Sequence, residues 1–305
     1  MTTLSLNVPN FGPLLGGDRY GRLLSVCEAA DEAGFDRLLL TDHVVMGADT
    51  SGYTWSAFPT EPDANWLEPL TTLAVLAGRT RRIRLGTGIV IAALRGGAVL
   101  AKTAATLDLL SSGRLDLGVG TGWQAKEYEA VGLDFRARGR LLDDTLQVCR
   151  ALWSGAPASV DTPSVAFTGV YSAPRPEGAI PIWVSGSLSK AVVRRTVRFG
   201  DGWIPIMGAT DDDLAAGTRV MRDAFAEAGR DPDDLAVRGR LTVAKTGDGA
   251  VDGARTMEHA AALIEAGATD LMVPLQAIDA DPQRAVEQFP ALVAAFRDEI
   301  GAPAR

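Results

Sequence analysis

The chain has 305 residues, 47 % of them apolar, and 38 acidic against 30 basic side chains give a formal net charge of −8. That length admits two ordinary domains or one large α/β barrel, and the apolar content suffices for a sizeable core. The acidic balance argues against general affinity for nucleic acid or an anionic membrane surface, and no apolar run reaches the roughly 18 residues of a membrane-spanning helix. The first residues lack the basic and apolar regions of a secretory signal, so a cytoplasmic chain is expected.

Strand-like and helix-like segments alternate almost throughout, which is the pattern of βα units around a parallel sheet. Leu4–Val8 reads as a first strand, followed by a helix over Tyr20–Ala33 that Gly34 closes as a C-cap glycine would. Arg37–Leu40 is the second strand and Glu68–Ala77 the second helix. Ile83–Thr87 and Leu115–Val119 are strands three and four, separated by a helix over Ala98–Leu110. A long helix with one apolar face covers Gly139–Trp153. Short strands follow at Ile182–Val184, Gly202–Ile206, Val237–Val243 and Asp270–Val273, each with a helix after it: Lys190–Phe199, Asp211–Ala228, His259–Ala266 and Arg284–Arg297. The three acids at Asp211–Asp213 suit a helix N-terminus. Eight strands and eight helices predict a single (β/α)8 TIM barrel over residues 1–305.

Two stretches break this rhythm, Val44–Asn65 and Pro157–Ala179, and both are expected to cap the C-terminal mouth, where barrel enzymes build their sites from βα loops. Cys27 and Cys149 fall on the apolar stripes of helices and read as buried small hydrophobes, not as a disulfide. The basic run Arg79–Arg82 precedes strand three, so it belongs to the opposite end of the barrel and reads as solvated.

The chemistry gathers at strand ends. Thr41-Asp42-His43 ends strand two, and His43 is one of only two histidines. An imidazole there can exchange a proton near neutral pH, although a loop-start histidine bonded to backbone reads equally well locally. His259 has no such setting and reads as structural or solvated. Leu85–Ile89 and Gly118–Trp123 bring two neighbouring strands to glycine-rich ends, where a missing Cβ lets backbone approach a flat or phosphorylated ligand. Gly118-Val119-Gly120-Thr121-Gly122 has the wrong spacing for a dinucleotide fingerprint. Ser185-Gly186-Ser187-Leu188-Ser189 joins strand five to a helix, which suits an anion at a helix N-terminus or an ordinary N-cap. No metal-ligand spacing and no nucleophile elbow occurs.

Several segments together resemble the luciferase-like monooxygenase superfamily, in its coenzyme F420-dependent oxidoreductase branch. They are Phe35–His43, Arg82–Ile89, Ala101–Asp108 with Ser111–Leu115, Gly118–Trp123 with Glu127-Tyr128, Pro181–Ser187, and Gly200–Trp203. The resemblance implies a barrel that binds a deazaflavin or flavin in its mouth. It implies a non-proline cis peptide at Gly88-Ile89, forming a bulge behind the ring. Asp42 matches a residue near the ring, and His43 one that exchanges protons beside the reactive carbon. Thr121 and Gly122 match contacts to the ring or its ribityl chain, and Ser185, Gly186, Ser187 and Leu188 match the phosphate-binding turn.

Two departures stand out. Trp123 replaces a glutamate found in sugar-phosphate dehydrogenases of this kind, and Gly96-Gly97 follow Arg95 where relatives carry a polar residue and proline. The Asp42-His43 pair resembles the deazaflavin branch, so the expected activity is hydride transfer between F420 and a small organic substrate, with His43 as general acid/base. An FMN-dependent luciferase-like monooxygenase is the alternative, followed by a non-redox phosphate-binding barrel enzyme or a catalytically silent cofactor binder. Tyr53, Trp55, Phe58 and Trp66 suggest an apolar or mixed pocket, or else pack the loops onto the barrel. A homodimer is expected from the resemblance.

Overall fold

Short buried strands alternate with amphipathic helices and close into one sheet. In the computed structural model, which describes residues 2–12 and 19–301, the strands are β1 (Thr3–Asn7), β2 (Arg37–Leu40), β3 (Arg84–Thr87), β4 (Val90–Ile91), β5 (Leu115–Gly120), β6 (Ala158–Asp161), β7 (Ala166–Val170), β8 (Ile182–Gly186), β9 (Gly202–Pro205), β10 (Ala236–Arg240) and β11 (Asp270–Pro274). The helices are α1 (Arg19–Ala33), α2 (Pro69–Arg79), α3 (Gly97–Leu110), α4 (Ala125–Ala130), α5 (Arg138–Trp153), α6 (Lys190–Phe199), α7 (Asp211–Glu227), α8 (Gly253–Glu265), α9 (Leu275–Ile278) and α10 (Pro282–Ile300). Among the described residues no helix is long and apolar enough to cross a membrane.

All sheet pairings outside the β6–β7 hairpin are parallel, in the order β3-β2-β1-β11-β10-β9-β8-β5, and β3 pairs with β5 to close the ring. This is the expected (β/α)8 barrel, with β4 as a two-residue extension beside the end of β5. Cys27 and Cys149 are fully buried and free, and burial pushes the Cys149 thiol up to about 12.

Two local readings change. The helix expected from His259 begins at Gly253 instead, capped by Asp252, whose carboxylate accepts from Arg255 N–H. His259 therefore sits mid-helix, with Nδ1 accepting from Thr242 N–H and Nε2 against Asp211. The strand expected to reach Val243 stops at Arg240.

The insertion at 157–179 also lies elsewhere than expected. It forms the antiparallel β6–β7 hairpin, and Ser164 donates to Asp144 on α5 at 2.5 Å while Glu177 N–H donates to Asp108 on α3 at 2.9 Å. It joins a helix to a strand, so it leaves the end of the barrel opposite the mouth and packs on the outer helices. The 44–65 insertion joins a strand to a helix and does lie over the mouth.

Inside the barrel, the floor is ionic. Arg37 donates to Asp116 at 2.6 Å and to Asp270 at 2.5 Å, Arg238 donates to Asp270 at 2.6 Å, and Arg84 donates to Asp116 at 2.8 Å. Thr3 and Ser5 add hydroxyls to Asp270, and the guanidinium of Arg238 lies over the Trp183 ring. Burial alone would raise the Asp270 carboxyl, but Arg37 and Arg238 overcome it and hold the group at about 2; Asp116 is lowered in the same way.

Both carboxyls sit below the ordinary value of about 3.9, so their contribution to stability is fully present above about pH 4 and is lost as pH falls toward the folded-state value. Urea midpoints should therefore drop between about pH 4 and pH 2, and Asp270→Asn should lower stability at neutral pH by about 3–5 kcal/mol while flattening part of that acid limb.

Candidate functional site

The mouth is built from the carboxyl ends of β2, β3, β5 and β8 and from the loop that follows β2. Asp42 and His43 leave β2 in opposite directions and do different things. The Asp42 carboxylate is buried. It accepts from Ile91 N–H at 2.8 Å and takes both arms of the Arg95 fork at 2.7 and 2.9 Å. Arg95 also donates to Glu68 at 2.6 Å, and Glu68 caps α2 by accepting from Thr71 N–H. Burial would raise the Glu68 carboxyl, but these hydrogen bonds hold it below the usual range. The Asp42 side chain is thus committed within the protein, tying β2 to the segment after β3.

That segment contains the cis Gly88-Ile89 peptide. The neighbouring glycines of β5 make room for it. A Cβ on Gly118 would meet the Thr87 carbonyl oxygen at 1.9 Å, one on Gly120 would meet Ile89 at 2.9 Å, and one on Gly122 would meet Ile91 at 2.8 Å. These glycines therefore permit the close approach of β3 and β4, a packing role beside the ligand contact expected of Gly122. Gly96 and Gly97 gain an explanation too: Gly96 is left-handed at φ +67°, and a Cβ on Gly97 would lie 2.5 Å from Val148 on α5. A polar residue and a proline cannot take those places.

His43 is held from one side. Its Nδ1 lies 3.0 Å from Glu127 Oε2, and Glu127 Oε1 accepts from Val44 N–H at 2.7 Å. Glu127 is completely buried on α4, which Gln124 caps. With Nδ1–H donated to the carboxylate, Nε2 is the acceptor nitrogen, and it has no hydrogen-bond partner among the described residues.

The ring is walled by aromatics. Trp66 stands at 4.7 Å, Trp123 at 5.6 Å and Phe58 at 6.1 Å, all edge-on, and Phe11 stacks on Trp66 at 3.9 Å. Tyr53 touches Trp55, Phe58 and Trp123, and its hydroxyl reaches Met207 Sδ at 3.1 Å across the mouth. Phe58 and Trp66 therefore do both jobs expected of them, packing the loop down and giving the histidine an apolar surround, while Tyr53 packs the loop. His43, Phe58 and Trp66 line a cavity of about 140 Å³ under the loop.

The remaining expected residues form an arc on neighbouring strands. Gly88, Ile89, Thr121, Gly122, Ser185 and Gly186 are all half-buried, and Ser187 and Leu188 are exposed at the start of α6. Ser189 caps α6 by accepting from Val192 N–H, and the Thr121 carbonyl accepts from the Tyr128 hydroxyl at 2.7 Å. Glu127, Glu68 and Arg95 were not singled out as site residues. Glu127 had one visible signal, its place four residues after Trp123 beyond a glycine-rich strand end.

The carboxylate-held histidine and the small-residue strand ends lie at the C-terminal mouth, the position where barrel enzymes build their sites. The chain belongs to the luciferase-like monooxygenase family, whose model matches residues 2–299. It is 35 % identical to a phthiodiolone/phenolphthiodiolone dimycocerosates ketoreductase of Mycobacterium tuberculosis over 70 % of this chain, but spans only 59 % of that protein's length. It is 30 % identical to an uncharacterised protein of Mycobacterium bovis, covering 83 % of this chain and 94 % of that one.

Among solved structures, an F420-dependent secondary alcohol dehydrogenase with an F420-acetone adduct superposes with a TM-score of 0.79 at 17 % identity, covering 97 % of this chain and 99 % of the other. An FMN complex of the oxygenating constituent of 3,6-diketocamphane monooxygenase from Pseudomonas putida gives 0.74 at 17 %, with 99 % and 98 % covered. At these identities the likeness is one of fold.

Removing the Arg95 fork leaves the buried Asp42 carboxylate uncompensated. Arg95→Met should cost about 3–5 kcal/mol in urea unfolding, and Gly118→Ala should fail to give a stable barrel. An unchanged midpoint in Arg95→Met would show that the tie does not hold this loop.

Proposed function

We propose that this chain is an F420-dependent oxidoreductase that moves a hydride between the deazaflavin and a small organic substrate, with His43 as the proton-exchanging group. The observation that carries the reading is His43 held through Nδ1 by buried Glu127, with Nε2 left for a ligand in an apolar surround. The relatives support a carbonyl–alcohol reaction, since one is called a ketoreductase and one structural neighbour a secondary alcohol dehydrogenase.

The residues present fit such a cofactor. Gly88, Ile89, Thr121 and Gly122 would face its ring system, and Ser185 through Leu188 its phosphate, all on hydrogen-bonded neighbouring strands or the turn after them. When bound, the deazaflavin supplies two-electron hydride chemistry. The protein's own part is the proton. As an alcohol carbon gives up its hydride, the hydroxyl proton passes to His43 Nε2, and the imidazolium so formed is stabilised by the Glu127 carboxylate. In the reverse direction Nε2–H donates to the forming alkoxide.

Asp42, already bound to Arg95 and Ile91 N–H, contributes by fixing the strand end beside the ring. The partners in this reading are a small-molecule substrate and a second copy of the chain.

Titration of cofactor-free protein with F420 and FMN in parallel tests the cofactor, and micromolar or tighter binding of F420 with negligible FMN binding is expected. A reversed preference would make the chain a flavin monooxygenase, and binding of neither would return the non-redox barrel to first place. With an accepted substrate, His43→Ala should lower kcat by about 10²–10⁴. Glu127→Gln should keep cofactor affinity but displace the limb of the pH–rate profile that reports the histidine.

A further inference from the structure

Side chains along β10 alternate between the helix layer and the barrel interior. Gly239 marks the outward side, because a Cβ there would meet Ala268 at 3.1 Å and Leu263 of α8 at 3.4 Å. Arg238 marks the inward side, buried in the ionic floor against Asp270 and Trp183. Arg240 is therefore inward too, one layer above the floor and level with Met272 of β11. It is exposed, whereas Met272, Ile204 and Ser185 at neighbouring inward positions are half-buried, so the mouth stands open above β10.

Its charge is unmatched. The charged groups of the barrel floor and of the strand ends around His43 are paired: Arg37, Arg84 and Arg238 with Asp116 and Asp270, Arg95 with Asp42 and Glu68, and His43 with Glu127. No ion pair or side-chain hydrogen bond engages the Arg240 guanidinium among the described residues. In a chain with 38 acidic against 30 basic side chains, a free cation facing into a concave mouth is not the result of a shortage of acids.

We propose that Arg240 anchors an oxyanion, a phosphate or a carboxylate, of a molecule bound in the mouth. A guanidinium presents a planar fork of donors that matches either group through two parallel hydrogen bonds, and low-dielectric walls strengthen that pairing. Around the ring, β10 stands two strands from β8, which leads into the Ser185–Leu188 turn, and three strands from β2, which leads into His43. A molecule spanning the mouth reaches Arg240 from either side. The oxyanion then belongs to the cofactor's phosphate-bearing tail or to the far end of a substrate whose reacting carbon faces His43. This inference rests on the mouth being a ligand site, as proposed above, and concerns which group of the ligand the protein grips.

The experiment uses wild type, Arg240→Gln and Arg240→Lys. Because Arg240 is exposed and unpaired, all three should melt within about a degree or two of one another. Binding of F420, of its phosphate-free deazaflavin core, of FMN and of riboflavin is followed by fluorescence. Inorganic phosphate and acetate are then titrated into the cofactor-loaded protein.

If Arg240→Gln weakens F420 or FMN at least about tenfold but leaves the phosphate-free partner unchanged, the cofactor supplies the oxyanion. If cofactor affinity is unchanged but saturable phosphate or acetate binding is lost, the substrate supplies it. Arg240→Lys should retain part of either effect. Equal cofactor affinities together with equal anion binding in all three proteins overturn the proposal.

Failure of wild type to bind any of the four cofactors is a different outcome, which sinks the redox reading. The test of Arg240 then becomes saturable phosphate stabilisation of the unliganded protein, present in wild type and absent in Arg240→Gln. Its absence from wild type overturns this proposal as well.

Discussion

The mouth of this barrel depends on one buried carboxylate. Asp42 closes β2 and spends both oxygens on groups from the segment after β3, the Ile91 amide and the Arg95 fork. Through Arg95 it also reaches Glu68 at the start of α2. Two consecutive βα connections, β2–α2 and β3–α3, are thereby held by a single charge cluster. A charge removed from water is tolerable only when it is fully paired, so the cluster has one low-energy arrangement and fixes the strand ends around it. His43 is the next residue, and its position is inherited from that arrangement.

Close packing does the rest. With no Cβ at Gly118, Gly120 and Gly122, Thr87, Ile89 and Ile91 can lie directly on β5. The chain between β3 and α3 is thereby packed closely against the end of β5. The loop after β2 is fastened at separate points, by Val44 N–H to Glu127, by Gln124 to the Asp49 carbonyl, and by Tyr53 to Met207. Between these points Phe58 and Trp66 stand edge-on to the His43 ring, a geometry that the ring quadrupoles favour. The histidine gains an apolar surround without losing the carboxylate that orients it.

The interior is polarised along its axis. At the floor, Arg37, Arg84 and Arg238 share two carboxylates and leave little mobile charge. In the layer above it, Gly86, Gly118, Ile204 and Met272 are small or apolar inward positions, and Ser185 and Arg240 are polar ones. A site of this form concentrates its electrostatics on a few groups at the mouth, where a bound molecule replaces water and each interaction strengthens.

Much of this was legible in the chain itself. Apolar runs bounded by glycines and acids marked all eight barrel strands and the main helices, since burial on both faces leaves a continuous hydrophobic signature. His43 stood out because histidine is scarce here and ends a strand, and the cis Gly88-Ile89 peptide was implied by the family resemblance and is present.

The partnerships were not legible. Asp42 and Arg95 are 53 residues apart, His43 and Glu127 are 84 apart, and Arg37 and Asp270 are 233 apart. No local pattern encodes which distant charge will neutralise which. The face on which the 157–179 hairpin lies followed from its joining a helix to a strand, a topological fact that its proline-rich composition does not carry. Local sequence determined where strands, helices and turns form, because propensity and periodicity act over a few residues. Ring closure decided which side chains meet, because only the closed barrel brings the strand ends of remote segments within hydrogen-bonding distance.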